Sequence, residues 1–192
     1  MVYIIGVDHL VQYNGPVPEQ LREEFRGYLV MIARACRIDL IAEEFSSEAL
    51  NEVYQATKDT AREAAELLHI PHRFCDPEEE DMRKMGIPFF AEILDRIKKD
   101  RGIESAFILD DSLRARLREE ASAVSKTYWH LRESFWFDRI SRDIDSNILF
   151  ICGHEHTGRF QSLLCARGIA CHILDNFWHE NIFRKYSNFN LD

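Results

Sequence analysis

Two periods of apolar residues alternate along this chain. Residues 2–7 form a continuous apolar run rich in β-branched side chains, the pattern of a strand covered on both faces. After a loop dense in turn residues, Leu21, Phe25, Tyr28, Leu29 and Ile32 recur at helical spacing and predict a helix over residues 18–35. Residues 38–42 read as a second strand that delivers Glu43 and Glu44 at its end. Ser46 or Ser47 then caps a helix reaching about residue 69, with Leu50, Ala61, Ala64 and Leu68 on its inner side. A third short strand covers residues 71–75 and ends in Asp76-Pro77. The pattern weakens over residues 78–101, where a short helix at 89–99 follows the acidic run Glu78 to Asp81, itself a solvated loop or helix start. A long helix is expected over residues 112–140, a fourth strand over 148–152, a helix over 157–166 closed by Gly168, and a fifth strand over 169–174. The aromatic tail, residues 177–189, is a candidate to pack on a neighbouring subunit.

Strands alternating with helices imply right-handed parallel crossovers, and therefore an α/β fold: one compact domain over residues 1–192 with a mainly parallel sheet flanked by helices. If the first three strands form one winding and the last two the other, the sheet order is 3-2-1-4-5. The first and fourth strands then meet where the winding reverses, which is where such sheets bind ligands at the carboxyl ends of their strands. Both strands end in the same motif, Gly6-Val7-Asp8-His9 and Gly153-His154-Glu155-His156. His9 and His156 are therefore expected to face each other, with Glu43 and Glu44 one strand over.

Composition narrows the partners. A net charge of −9 argues against nucleic acid, because phosphate binding needs clustered Lys and Arg. No apolar run is long enough for a membrane span, and no signal peptide is expected. Five cysteines without regular spacing, and no Cys-x-x-Cys pair, predict neither a disulfide framework nor a zinc knuckle. A reduced, cytoplasmic protein is the expectation, with a small molecule or peptide as substrate.

Imidazole and carboxylate together suit a divalent transition metal: zinc, manganese, cobalt or iron. His9, Glu43, Glu44 and His156 are the candidate ligands, and the same residues are candidate acid or base groups. Successive strand residues point to opposite faces, so one of the two glutamates can coordinate while the other orients a histidine. Asp76 is a more remote acidic candidate. Asp8 and Glu155 read as ligands, bases or solvated rim residues, and His154, only two residues from His156, as a side chain turned away. The bland alternative is that each motif histidine is an ordinary surface or core-edge residue. The stripe Tyr128, Trp129, Phe135, Trp136 and Phe137 has the helical spacing of core rather than of a substrate platform.

In the order of these motifs the chain resembles the TraB, Tiki and ChaN-like superfamily, which includes erythromycin-esterase-like proteins. Gly6 with His9 and Gly153 with His156 match its paired Gly-x-x-His motifs. Glu43 or Glu44 matches its acidic position after the second strand, Asp76-Pro77 its acidic turn, and Arg132 its helical arginine. The resemblance implies metal-dependent peptide cleavage, ester hydrolysis or haem binding, according to the member. It implies for Arg132 a role as carboxylate or oxyanion clamp; the alternative is a salt bridge in the crevice. Three readings follow: a metal-dependent hydrolase of an amide or ester, a non-catalytic small-ligand-binding or sensor protein, and a metal-independent esterase in which Glu43 or Glu44 positions His9 as general base.

Overall fold

Five strands, β1 (Val2–Val7), β2 (Leu40–Glu43), β3 (His72–Phe74), β4 (Ile148–Gly153) and β5 (Cys171–Asp175), make one sheet in which every pairing is parallel. The structure is a computed structural model and describes residues 1–15, 17–103 and 110–179, without the side chain of residue 53. Seven helices are described: α1 (Glu19–Ala35), α2 (Thr60–Leu68), α3 (Glu79–Met85), α4 (Phe90–Asp100), α5 (Asp111–Lys126), α6 (Trp129–Ile140) and α7 (Thr157–Ala166). The chain divides into two compact units, an α/β unit of Met1–Asp76 with Phe135–Asp192 and a helical unit of Pro77–Ser134.

The strand order is 3-2-4-1-5, not the expected 3-2-1-4-5. The reason lies in burial. β4, Ile-Leu-Phe-Ile-Cys-Gly, is buried at all six positions and takes the central slot, whereas β1 keeps a half-buried Tyr3 and sits one place out. β3 and β5, neither of which has a fully buried residue, take the edges. β1 and β4 remain neighbours, and β4 also pairs with β2, so the strand carrying Glu43 borders the second histidine motif directly.

Alternation along the strands builds a core on each face of the sheet. Ile5, Val7, Ile41, Leu149 and Ile151 pack with Leu21, Phe25 and Leu29 of α1 and Ala61, Ala64 and Ala65 of α2. The small side chains of α2 let that helix lie close to the sheet. Val2, Ile4, Leu40, Ala42, Ile148, Phe150 and Cys152 face the other way, onto Trp136 and Ile140 of α6 and Phe160 and Leu164 of α7. Trp136 is fully buried, so this part of the aromatic stripe is core. Trp178 is buried in the first core; the tail beyond residue 179 lies outside the described residues.

Two predicted helices are interrupted. The expected helix over residues 46–69 is a single wide turn at Ala49–Val53, opened by Ser46 Oγ accepting the Ala49 N–H, followed by a restart at α2. Asn14 Oδ1 accepts the N–H groups of Thr57 and Lys58 and draws the chain away from helical pairing there. The expected helix over residues 112–140 breaks after α5, where the Thr127 hydroxyl donates to the Val124 carbonyl at 2.7 Å and competes with the backbone ladder.

Within the helical unit, Ile93 and Ile97 of α4 pack against Leu117 and Ala121 of α5. Asp110 caps α5, its Oδ1 accepting the Leu113 N–H at 2.7 Å. Asp110→Ala is expected to destabilise this unit by about 1 kcal/mol, read as a lower urea midpoint at unchanged slope. Among the described residues no helix is long and apolar enough to cross a membrane, and all five cysteines are free thiols.

Candidate functional site

The parallel register carries the two histidine motifs to the same edge. Val7 pairs with Gly153 and Glu43 with Ile151, so the segments that follow all leave the sheet at its carboxyl end. After β1, Asp8 turns the chain by accepting the Leu10 N–H on Oδ1, and His9–Val11 form one 3-10 turn. Residues three apart eclipse in such a turn, which sets Gln12 over His9. After β4, His154–His156 form a second 3-10 turn leading into α7.

The motif glycines are required by space rather than by backbone angle, since neither has a positive φ. A Cβ on Gly6 would collide with the Asn176 carbonyl oxygen and lie 2.7 Å from Thr157 Cγ2. A Cβ on Gly153 would lie 3.0 Å from His9 Nε2 and 3.4 Å from Glu44 Oε2. Gly153 therefore leaves open the space between the candidate residues.

Glu44 sits between the two histidines. Its Oε1 is 3.5 Å from His156 Nε2, and its Oε2 is 3.9 Å from His9 Nε2 and accepts the Gly153 N–H at 2.8 Å. Glu44 and His156 are buried, while the His9 side chain is 37% exposed and forms the open side. His156 also meets the edge of Trp136 at a centroid distance of 5.0 Å, and Trp136 Nε1 donates to Asp76 Oδ1 at 2.9 Å. Asp76 thus positions the aromatic wall beside His156.

Glu43 faces away from this group. Its Oε2 accepts from Gln12 Nε2 at 2.7 Å, and His9 Nδ1 donates to Gln12 Oε1 at 2.7 Å. An amide oxygen only accepts, so the proton of neutral His9 is held on Nδ1 and the Nε2 lone pair faces Glu44. On its other side, Glu43 Oε1 is hydrogen-bonded to His72 Nε2 at 2.6 Å, and that nitrogen lies 3.6 Å from Asp59 Oδ2. Asp59 spends Oδ1 on capping α2, through the Ala61 and Arg62 N–H groups. Its Oδ2 is buried with no hydrogen-bond partner.

Burial pushes the Glu43 carboxyl up to about 7, an effect that Asp59 and Gln12 offset only in part. Burial, with Glu43 alongside, raises Asp59 well above the usual carboxylate range. Burial lowers His72 from its ordinary value despite Asp59, so its imidazole is neutral near pH 7. The folded chain keeps a proton on Glu43 that the unfolded chain releases above its ordinary value of 4.5, so this group costs stability as pH rises from there to about 7. In chelator, the wild type is expected to lose on the order of 2 kcal/mol more than Glu43→Gln between about pH 5 and about pH 7.5, by denaturant titration.

Of the expected site residues, His9, Glu44 and His156 are gathered around one carboxylate, and Glu43 joins them only through Gln12. Arg132 lies on α6 within the helical unit. His154 stacks on Phe177 at 4.0 Å, Glu155 is exposed, and Cys152 is buried in the core. Gln12, Asp59 and His72 were not foreseen. The three-residue step from His9 to Gln12 was a usable signal, whereas nothing local marked Asp59 and His72 as partners of Glu43. Among the described residues, the group presenting ligand atoms all within 4.8 Å of one another is Glu43, Asp59 and His72, rather than the pair of motif histidines with Glu44. No family model, no curated protein and no solved structure matches this chain.

Proposed function

We propose that the chain is a metal-dependent hydrolase of an amide or ester bond, with His9, Glu44 and His156 as the residues that would hold the ion. The observation that carries this reading is the set of Nε2 atoms of His9 and His156 on the two oxygens of one carboxylate, at 3.9 and 3.5 Å. Two imidazole nitrogens and a carboxylate turned toward one space are a donor set suited to a divalent transition metal. Metal–ligand bonds of about 2.0–2.2 Å allow two ligands of one ion to be up to about 4.4 Å apart, so each histidine–carboxylate separation alone fits a transition metal such as zinc, manganese, cobalt or iron. The three groups, more open as a set than the Glu43, Asp59 and His72 group, would draw together on the ion. Such an ion would supply Lewis acidity, polarising a substrate carbonyl and acidifying water.

The protein's own groups do the rest. Gln12 fixes the His9 tautomer and ring direction, Glu43 anchors Gln12, and Gly153 leaves room for the substrate's reacting group. The Trp136 ring shields His156 from solvent on one side. A small-molecule or peptide substrate would enter beside His9, the exposed member. The resemblance to the TraB, Tiki and ChaN-like superfamily supports the same chemistry.

A second reading has its own support. The His9–Gln12–Glu43 chain also suits a metal-independent esterase with His9 as general base. One experiment tests the first and separates the two: a panel of amide and ester substrates assayed before and after exhaustive chelation, then after adding back Zn2+, Mn2+ or Co2+. Activity lost on chelation and restored by one of these ions supports the metal reading. Activity that survives chelation assigns the esterase. No turnover in any arm, with a ligand-dependent rise in melting temperature, leaves a binding protein.

A further inference from the structure

We infer that Glu43, Asp59 and His72 form a second cation site, for a divalent transition metal, beneath the crevice and built from none of the residues that hold the first. This does not depend on the crevice being metal-dependent. The three side chains come from β2, the cap of α2 and β3, and their ligand atoms all lie within 4.8 Å of one another. One imidazole nitrogen with two carboxylates is a donor set suited to such ions.

The independent observation is Asp59 Oδ2. Asp59 is only 4% exposed, and this oxygen has no hydrogen-bond partner. A buried polar atom left unsatisfied costs about 1–3 kcal/mol, and more if charged, so it calls for a partner. His72 Nε2, at 3.6 Å, is beyond hydrogen-bond reach and is itself hydrogen-bonded to Glu43 Oε1 at 2.6 Å. A cation in place of the proton of that hydrogen bond satisfies Oδ2, Oε1 and Nε2 together. Asp59 also forms part of the wall of a cavity of about 200 Å³, lined further by Lys58, Arg62, Glu63 and Glu66, which gives a route from solvent to this residue.

The site has a mechanical consequence for His9. The Glu43 carboxylate offers Oε1 to the cluster and Oε2 to Gln12, which in turn holds His9 Nδ1. An ion would therefore fix the carboxylate that sets the ring direction of the exposed histidine, making Glu43 and Gln12 positioning residues.

The test uses the full chain stripped with chelator and titrated with Zn2+, read by melting temperature and by bound metal per chain. The parent is the double variant His9→Ala, His156→Ala, which removes the crevice histidines. It is expected to bind one Zn2+ per chain and to melt at least about 5 °C higher at a hundredfold excess over its Kd. Asp59→Asn in that background keeps Oδ1 as helix cap and supplies an amide for the orphan position, so it is expected to fold. It should bind Zn2+ at least tenfold more weakly, and His72→Gln should do the same. No Zn2+-dependent shift in the parent overturns the site, as does an unchanged affinity in both further variants. Loss of metal from wild type on Glu44→Gln, with the inner ion retained, would concern the crevice alone, so the two readings fail separately.

Discussion

For the proposed hydrolase, Glu44→Gln is expected to lower hydrolysis by at least about a hundredfold while the protein still folds. Glutamine keeps a carbonyl oxygen for the Gly153 N–H, a buried bond at 2.8 Å, so the local backbone remains supported. What it removes is the carboxylate between His9 and His156, whose oxygens are placed against both Nε2 atoms. The measurement is kcat/KM on whichever substrate the panel identifies, beside a thermal melt and metal content per chain. Near-wild-type activity in a folded variant would remove Glu44 from the chemistry and leave His9 with the Gln12 relay as the working group.

Gly6→Ala is expected to be the most destabilising of the glycine changes, by about 3 kcal/mol or more, with a fall in melting temperature of roughly 10 °C. The added methyl meets a backbone carbonyl, that of Asn176, which cannot rotate aside as a side-chain tip can. It is further confined by Trp178, whose N–H donates to the Gly6 carbonyl at 2.8 Å and whose ring packs on Phe25. Gly27→Ala is the matched control. It lies in α1 with open space around the new methyl, and relief of glycine's backbone entropy should raise stability by roughly 0.5–1 kcal/mol. Equal effects of the two changes in thermal melts would show that Gly6 is not held by close approach.

The pattern of apolar residues was enough to place every described strand within about two residues, because strands buried on both faces leave long β-branched runs. It was not enough to rank β1 against β4 for the centre. Both are apolar throughout, and the difference lies in whether Tyr3 reaches solvent, which depends on what packs above it. Helix ends were legible where a side chain caps them, as at Ser46, and illegible where a distant residue intervenes. Asn14 interrupts residues 46–69 from more than forty positions away. The site divides in the same way. Glu44 and the histidines stand at strand ends and are visible as a motif. Asp59 and His72 reach Glu43 only through the α2 restart and the β2–β3 pairing, and neither is written in local spacing. The alternation rule did foresee that Glu43 and Glu44 would part company, one toward the histidines and one toward a supporting contact.

The central position of β4 governs the order in which the molecule can be completed during synthesis. Residues 1–76 contain β1, β2 and β3 but leave a strand-wide gap, because β1 and β2 pair with β4 and not with each other. A nascent chain of that length carries two unpaired parallel edges, the kind of surface that recruits other strands. The gap closes only when residues 148–153 emerge, and Gly153 then donates to Glu44 across 109 positions of sequence. The last strand to fill the gap thus also brings in His156, so sheet closure and assembly of the crevice are a single late, non-local event.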